Sequence, residues 1–247
     1  LPDKLSRRGP ALVGGDVNGD GREDVFVGGA RGRGAVLFLQ RPDGTFRETS
    51  GKAFAADRSF EDVDATFFDA DGDGDLDLYV VSGGSSEVRA EAYQDRLYLN
   101  DGTGAFKVAS SDALPTIESS GGTVAVHDYD GDGNPDLFVG GRVRPNDYPL
   151  PPRSYLLENT GGRFEDVTEQ AAEVLLRPGM VTDARWHDLT GNGTRELILA
   201  GEWMGFRVFQ PDHENAFTEI TGDLDLERSS GWWYAFRIAD FDGDGDD

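Results

Sequence analysis

Short apolar runs, rich in β-branched and aromatic residues, alternate along the chain with clusters of Gly, Asn and Asp. In one stretch GTVAVH (122–127) precedes an acidic segment, and DLFVGG, SYLLEN and RFEDVT follow it, with TGG as the last turn. Runs of this kind, bounded by turn residues, are typical of β-strands. The pattern therefore predicts units of four short strands. One helix-compatible stretch, TEQAAEVLL (168–176), is expected to lie between two units.

The unit recurs at a nearly constant interval. Acidic segments such as DADGDGDLD begin 53, 59, 60 and 52 residues apart, at Asp16, Asp69, Asp128, Asp188 and Asp240. A phenylalanine that closes a turn keeps step with them, at Phe46, Phe106, Phe164 and Phe217. Two landmarks with one period establish an internal repeat.

Four strands per repeat predict an all-β fold, a β-propeller of four-stranded antiparallel blades. We expect four complete blades and the first strand of a fifth within a single domain. The predicted blades cover about 9–50, 60–115, 119–168, 179–224 and, in part, 230–247. Because the last acidic segment is cut short, the chain is expected to be a fragment of a larger propeller of about seven blades.

The composition narrows the range of partners. The chain has 47 acidic and 23 basic residues and a formal net charge of −24, which argues against nucleic acids and anionic membranes. It has no cysteine, so disulfides are excluded. No apolar run approaches the roughly 18 residues of a membrane span.

Each acidic segment has the spacing of a cation-binding loop. Counted from its first Asp, it has oxygen-bearing side chains at positions 1, 3 and 5, glycine at position 6 and, except in the shortened last segment, an acidic side chain at position 9. Alternate side chains of a curling loop can point inward together, and position 7 can add its carbonyl. Such hard oxygen ligands predict Ca²⁺, and the lack of His or Cys at these positions argues against zinc or copper. An EF-hand would need Glu at position 12, where the chain has Val27, Val80, Val139 and Leu199.

The five loops differ in their number of carboxylates. We expect Ca²⁺ to occupy loops 2 and 3 first, loop 1 next and loop 4 last; a solvated acidic turn is the alternative. The candidate ligands are Asp16, Asn18, Asp20, Arg22 and Asp24 in loop 1; Asp69, Asp71, Asp73, Asp75 and Asp77 in loop 2; Asp128, Asp130, Asp132, Asn134 and Asp136 in loop 3; Asp188, Thr190, Asn192, Thr194 and Glu196 in loop 4; and Asp240, Asp242 and Asp244 in loop 5.

The loops and three longer stretches, GDVNGDGREDVFVGGA, YPLPPRSYLLEN and GWWYAFRIADFDGDGD, resemble the FG-GAP/VCBS-repeat β-propellers, which include the integrin α-subunit head. The closer likeness is to bacterial secreted proteins akin to cartilage acidic protein, which often carry an ASPIC/UnbV domain. The resemblance spans essentially the whole chain. It implies Ca²⁺ between the first two strands of a blade and a secreted, periplasmic or cell-surface location. Loop 4 departs from the family pattern.

The predicted function is a non-catalytic binding scaffold for a protein or carbohydrate ligand. The loops between strands 2 and 3 are longer in the second and third repeats than in the others, and such loops often carry binding residues. In an antiparallel blade they lie on the face opposite the acidic loops. The candidate ligand-binding residues there are Arg142, Arg144, Tyr148, Arg153, Trp203, Trp232 and Trp233. Trp232 and Trp233 can alternatively pack between blades.

The alternative function is a carbohydrate-active enzyme, a polysaccharide lyase or hydrolase, on the same frame. We predict no catalytic residues, because the repeat already explains the densest acids. His127 and His187 occupy the same place in successive repeats, just before the acidic loop. They are predicted to line the channel or to pack rather than to bind a ligand.

Overall fold

The computed structural model describes residues 9–49, 52–85 and 89–241. Four antiparallel sheets follow one another along the chain, and in each the four strands are hydrogen-bonded in sequence order. This arrangement confirms the prediction of an all-β fold built from four-stranded propeller blades. Within the described ranges the sheets form an open array rather than a closed ring.

Four groups of strands make up the blades. Sheet 1 contains β1 (Leu12–Gly15), β2 (Asp24–Val27), β3 (Val36–Gln40) and β4 (Phe46–Thr49); sheet 2 contains β5 (Asp62–Phe68), β6 (Asp77–Ser82), β7 (Arg96–Leu99) and β8 (Lys107–Val108); sheet 3 contains β9 (Ser120–His127), β10 (Asp136–Val143), β11 (Tyr155–Asn159) and β12 (Phe164–Asp166); sheet 4 contains β13 (Met180–His187), β14 (Glu196–Met204), β15 (Arg207–Pro211) and β16 (Phe217–Glu219). The first strands β1, β5, β9 and β13 neighbour one another in that order.

Short helices lie in the connections between sheets. Helix α1 (Lys52–Ala56) joins sheets 1 and 2, and α2 (Thr168–Ala171), continued by a 3-10 turn at Glu173–Leu175, joins sheets 3 and 4. The latter two fall within the stretch 168–176 that the sequence marked as helix-compatible. Further 3-10 turns lie at Ala90–Tyr93 and Leu226–Arg228. In the described ranges, none of the helices has both the length and the apolarity to cross a membrane.

The hydrophobic core is divided among the interfaces between neighbouring sheets. In β6, Tyr79 and Val81 pack with residues of sheet 3, whereas Leu78 and Val80 pack with residues of sheet 1. All four side chains are fully buried, because side chains of a strand alternate between its two faces and both faces are covered. The unbroken apolar runs of the second strands follow from this double burial.

The segment expected to begin a fifth blade is only partly a strand. Residues Gly231–Trp232 form β17, which pairs with the end of β14. Beyond it the chain lies beside β13, where Phe236 N donates to Asp183 Oδ2 (2.9 Å) as Val124 N of β9 donates to Asp64 Oδ2 of β5 (2.9 Å). Residues 233–241 thus take the place of the next inner strand without forming a ladder of their own.

Candidate functional site

Acidic loops 1 to 4 lie at one end of the blades, each between the first and second strand of its sheet. In loop 2, Asp69 at position 1 accepts hydrogen bonds from Gly72 N (2.8 Å) and Gly74 N (3.0 Å). Both glycines have positive φ angles, 78° and 92°, which non-glycine residues rarely adopt. The first aspartate and the two glycines therefore shape the loop.

The carboxylate at position 9 has a structural role that sequence reasoning missed. Asp77 is buried at the start of β6 and accepts from Ala70 N (2.9 Å) and Asn100 N (2.8 Å). Asp136 does the same with Tyr129 N (3.1 Å) and Asn159 N (2.8 Å). Position 9 thus ties each loop to the end of the third strand.

Loops 2 and 3 each bring three carboxylates together. Oxygens of Asp69, Asp71 and Asp77 lie within 4.8 Å of one another, and oxygens of Asp128, Asp130 and Asp136 do likewise. These are positions 1, 3 and 9. Position 5 lies outside both groups: Asp73 accepts from Asp75 N (3.0 Å), and Asp132 accepts from Asn134 N (2.7 Å) and Asn134 Nδ2 (2.9 Å).

The residues of loop 2 fit a hard divalent cation. Asp71 Oδ1 is buried and accepts no hydrogen bond, although buried carboxylate oxygens normally have a donor. Burial and then the neighbouring Asp73 raise the pKa of Asp71. A cation held by Asp69, Asp71 and Asp77 would supply the missing partner and cancel the clustered negative charge.

Loop 1 satisfies part of its charge internally. The side chain of Arg22, whose carbonyl is the predicted ligand, pairs with Asp20 at 2.7 Å. Asp16 and Asn18 accept from backbone N–H groups of the loop, and Asp24 accepts from Val17 N and Gln40 N. The sequence ranked this loop behind loops 2 and 3, and the ion pair gives a physical reason for that order.

Loop 4 is closed by its own hydrogen bonds. Glu196 accepts from Leu189 N (2.8 Å), from Thr190 Oγ1 (2.9 Å) and from Gln210 Nε2 (3.0 Å). Asp188 accepts from Asn192 N and Gly193 N, and Asn192 accepts from Thr194 N. In loop 5, Asp240 is exposed, whereas Asp242 and Asp244 lie outside the described residues.

We expect Asp188→Asn to leave the Ca²⁺ stoichiometry unchanged, because hydrogen-bond donors already satisfy both oxygens of Glu196. The stoichiometry can be measured by isothermal titration calorimetry on metal-free protein. Asp130→Asn in loop 3 is the matched variant and should lower it by about one. A loss of one Ca²⁺ in the Asp188→Asn variant would contradict the view that loop 4 is closed without metal.

Three buried carboxyls predict a pH dependence of stability in the absence of metal. Burial raises the pKa of Asp77 to about 6 and those of Asp136 and Asp95 to about 7, from an ordinary value of 3.8, against the opposing effect of their hydrogen bonds. Because these pKa values are higher in the folded protein than in the unfolded chain, protonation of the three carboxyls stabilises the fold. Their contribution to stability is therefore complete below pH 3.8 and is lost as the pH rises through 6 to 7.

The melting temperature of the chelator-treated protein should accordingly fall between pH 5 and pH 8. Asp95 is buried away from the acidic loops, between Tyr79 Oη (2.8 Å) and Ser82 N (2.7 Å). Asp95→Asn should reduce the slope without changing Ca²⁺ stoichiometry. A melting temperature that is constant or rises over this interval would be inconsistent with these pKa values.

Asparagines at the end of the third strands link neighbouring sheets. Asn159 Nδ2 of sheet 3 donates to Ala70 O in loop 2 (2.9 Å), and Asn100 Nδ2 of sheet 2 donates to Val17 O in loop 1 (2.8 Å). Gly162 lies so close to loop 2 that an added Cβ would be 2.9 Å from Asp71 Cβ. The repeated Asn is visible in the sequence, but its partner in the preceding repeat is not.

The opposite end of the blades carries a connected group of aromatic and charged side chains. Trp203, at the end of β14, is 63% exposed. Its Nε1 donates to Tyr148 Oη (2.6 Å), and its ring centroid lies 4.9 Å from that of Trp232. Tyr148 Oη in turn lies 3.3 Å from Glu202 Oε2. We call Trp203, Trp232 and Tyr148 the aromatic shelf.

A buried ion pair supports the aromatic shelf. Arg142 donates from Nε (3.1 Å) and from Nη2 (2.7 Å) to Glu202 Oε1, and both residues are buried. Arg142 therefore lies beneath the shelf. The sequence pattern predicted it on the binding surface, and that prediction is wrong because the side chain is buried against Glu202. No local pattern points to Glu202 as the partner of Arg142, because it lies 60 residues further along.

The other candidate ligand-binding residues have separate positions. Arg144 forms an exposed ion pair with Asp147 at 3.0 Å. Arg153 turns back onto its own sheet and pairs with Asp166 and Glu169, each at 2.7 Å. Trp233 packs against Phe206, with 5.2 Å between ring centroids, and donates to Ser229 O. Trp233 therefore packs on sheet 4, through Phe206 and Ser229.

His127 and His213 line a cleft on the loop side of the blades. A cleft of about 1110 Å³ between sheets 3 and 4 is lined by His127, Arg195 and His213, among others. The His127 ring lies 5.1 Å from the Trp186 ring, so His127 lines the cleft and also contacts an aromatic neighbour.

Two solved structures resemble the chain, and the first of them supports the fold. An Agrocybe aegerita lectin that recognises non-reducing terminal N-acetylglucosamine matches at 22% identity with a TM-score of 0.52, over 84% of this chain and 50% of the lectin chain. The Vibrio cholerae biofilm matrix protein Bap1 matches at 18% identity and a TM-score of 0.41, over 85% of this chain and 30% of Bap1. The chain thus spans half the length of the lectin or less than a third of Bap1. A search of curated protein sequences finds no match.

The sequence pattern of the FG-GAP-like repeat matches three stretches, 16–80, 82–139 and 188–247. These stretches contain all five acidic loops and together cover well over half of the chain. On this evidence, and with the loop geometry described above, the chain belongs to the FG-GAP-like repeat family.

Proposed function

We propose that this chain is a Ca²⁺-stabilised, non-catalytic binding scaffold that acts outside the cytoplasm and binds a glycan or protein partner on the face opposite the acidic loops. The observation that carries the proposal is Trp203, a large aromatic side chain 63% exposed at the far end of β14. Exposed tryptophans with rigid support are typical of binding hot spots.

The Ca²⁺ part of the proposal is supported by loops 2 and 3. Their three-carboxylate groups and the buried, undonated Asp71 Oδ1 match the needs of a hard cation. There the ion would neutralise the carboxylates and rigidify the loops. We assign it no part in ligand contact, because the aromatic shelf is at the other end of the strands.

The binding part is supported by the contrast between the two ends of the blades. At the loop end most polar groups are engaged in shaping the loops. At the other end, the shelf combines residues from the long loop of sheet 3 and from sheet 4. The Agrocybe aegerita lectin, which shares the fold, recognises non-reducing terminal N-acetylglucosamine, so this sugar belongs in the first screen.

A screen of glycan and protein arrays with the 247-residue chain tests the proposal, followed by Trp203→Ala. We expect Trp203→Ala to weaken binding by about tenfold or more, as truncation of a hot-spot aromatic does. The matched control is His213→Ala, an exposed change on the loop side of the same sheet. If His213→Ala alone weakens binding while both variants stay folded, the binding face is wrong.

Release of new reducing or unsaturated ends from a bound polysaccharide, measured in the same screen, would favour the alternative of a carbohydrate-active enzyme.

A further inference from the structure

Trp203 has an uncommon backbone conformation for so large a residue. Its φ angle is +57°, in the left-handed region that non-glycine residues seldom occupy and that is costly for bulky side chains. The pairing of β14 with β17 shifts register between Glu202 and Met204, on either side of Trp203. The irregularity turns the indole away from the sheet and leaves most of it exposed. Glycine or asparagine would make the same turn at lower cost.

The indole of Trp203 is also fixed in place. Its Nε1 donates to Tyr148 Oη at 2.6 Å, and Trp232 lies beside it at a centroid distance of 4.9 Å. The polar edge of the ring is therefore already satisfied. What remains available to a ligand is a flat apolar face held at a defined orientation.

Trp232 adds a second destabilising feature beside Trp203. Its Nε1 is buried and has no acceptor, whereas buried donors are normally paired. The left-handed backbone of Trp203 and the unpaired Nε1 of Trp232 both lower the stability of the fold. Such costs, when they converge on one exposed group, are characteristic of functional sites.

The charges beneath the shelf are internally compensated. The guanidinium of Arg142 is bound to the carboxylate of Glu202, and both are buried. The chain as a whole carries a net charge of −24, which disfavours polyanionic ligands. The shelf therefore suits an uncharged ligand.

The size of the exposed aromatic surface favours a small ring over a protein. In the part of the chain that the structure describes, the exposed aromatic rings near the shelf are Trp203 and Tyr234, which is 49% exposed and lies 6.4 Å from Trp232 by ring centroid. A stable protein interface typically buries about 800 Å² on each partner around several anchors. A pyranose, in contrast, offers one apolar C–H face the size of an indole and hydroxyls at its rim.

We infer that the aromatic shelf is a subsite for a neutral pyranose, whose C–H face stacks on Trp203 and whose hydroxyl donates to the remaining lone pair of Tyr148 Oη. Tyr148 Oη already accepts from Trp203 and donates toward Glu202, so one lone pair is left. Arg142 and Glu202 position Tyr148 and touch no ligand. The inference rests on the proposed function and names its ligand class.

Titration of the chain with saccharides, followed by tryptophan fluorescence and by isothermal calorimetry, tests the inference. The probes are four neutral disaccharides, N,N′-diacetylchitobiose, cellobiose, lactose and maltose, and a trimer of galacturonic acid as the charged counterpart. We expect at least one neutral disaccharide to bind and the galacturonate trimer to bind more weakly or not at all. Tighter binding of galacturonate, or no response to any neutral disaccharide, would overturn the inference.

Three variants at the shelf and one control variant test where the sugar binds. Trp203→Ala should weaken the association constant about tenfold or more, and Trp203→Phe, which keeps an aromatic face, should retain most of it. Trp186→Phe is the control, because it removes a tryptophan from β13 on the loop side. Tyr148→Phe removes the proposed acceptor but keeps the ring, and should cause an intermediate loss. Equal binding by Trp203→Ala and the unchanged protein would contradict the subsite.

The failures of the two proposals are distinguishable. A protein partner that needs Trp203, with no saccharide bound, contradicts the pyranose subsite and keeps the proposed binding face. If saccharide binding is lost in His213→Ala or Trp186→Phe and unchanged in Trp203→Ala, both the proposed binding face and the pyranose subsite are wrong.

Discussion

Addition of Ca²⁺ to the metal-free protein is expected to raise its melting temperature strongly, and chelation to reverse the change. Loops 2 and 3 each hold three carboxylate oxygens within 4.8 Å of one another, and unit charges about 4 Å apart repel by roughly 1 to 4 kcal/mol per pair at effective dielectric constants of 80 to 20. A bound cation removes this repulsion. At a Ca²⁺ concentration of about 100 times Kd, each site adds about 2.7 kcal/mol to the free energy of unfolding.

For two sites and a domain of this size, the shift amounts to roughly 10 to 20 °C. Differential scanning calorimetry at pH 7.5, with Ca²⁺ or with chelator, measures it. Asp71→Asn should remove about half of the shift and lower the stoichiometry by about one, while Thr103→Ala, an exposed change in a neighbouring turn, should remove none. A shift that is absent in the unchanged protein, or equal in Asp71→Asn, would show that loop 2 is not a cation site.

Arg142→Ala is expected to be the most destabilising single substitution at the shelf. It would leave Glu202 buried without its cation, and breaking one side of a buried ion pair costs about 3 to 5 kcal/mol. Arg207→Ala is the matched control: Arg207 pairs with Glu219 at a site where both side chains are about one-third exposed or less, and pairs nearer the surface contribute about 1 kcal/mol or less. Urea denaturation of both variants measures the difference.

A double variant separates the lost pair from the lost volume. Arg142→Met combined with Glu202→Leu replaces both charges by apolar groups, and its free energy of unfolding should lie well above that of Arg142→Ala. If Arg142→Ala costs no more than Arg207→Ala, then Glu202 is compensated by other groups, and the ion pair is not the support of the shelf.

The strands and the acidic loops could be predicted because both are local. Period, apolar runs and turn residues act over a few neighbours, and the double burial of β6 keeps its run DLYVVS unbroken. The ligand set was only partly accessible, because which carboxylates converge depends on the fold of the loop. The carboxylate at position 9 lies beside those at positions 1 and 3, whereas the position-5 residues Asp73 and Asp132 lie outside the group.

Contacts between distant residues were beyond the reach of sequence reasoning. Arg142 was expected on the surface because loop arginines often are, but a glutamate in the next repeat pairs with it below the surface. The adjacent Trp232 and Trp233 could not be told apart by composition. Their roles diverge because Trp232 lies beside Trp203, whereas Trp233 lies on Phe206.

The asparagine side chains at the ends of the third strands each bond to the acidic loop of the preceding sheet, so these links between sheets all point the same way along the chain. Asn100 closes over loop 1 and Asn159 over loop 2, whereas Gln210 at the corresponding place in sheet 4 turns to Glu196 of its own sheet. Separation of sheet 3 from sheet 2 would therefore uncover loop 2 and open a route for a cation held there, while loop 3 has no equivalent hydrogen bond among the described residues. In an array whose units contact only their neighbours, we expect ion exchange to be slower at loop 2 than at loop 3. A pulling force applied from the carboxyl-terminal side would then separate the sheets in steps, and would break the Asn159 hydrogen bond before the Asn100 hydrogen bond.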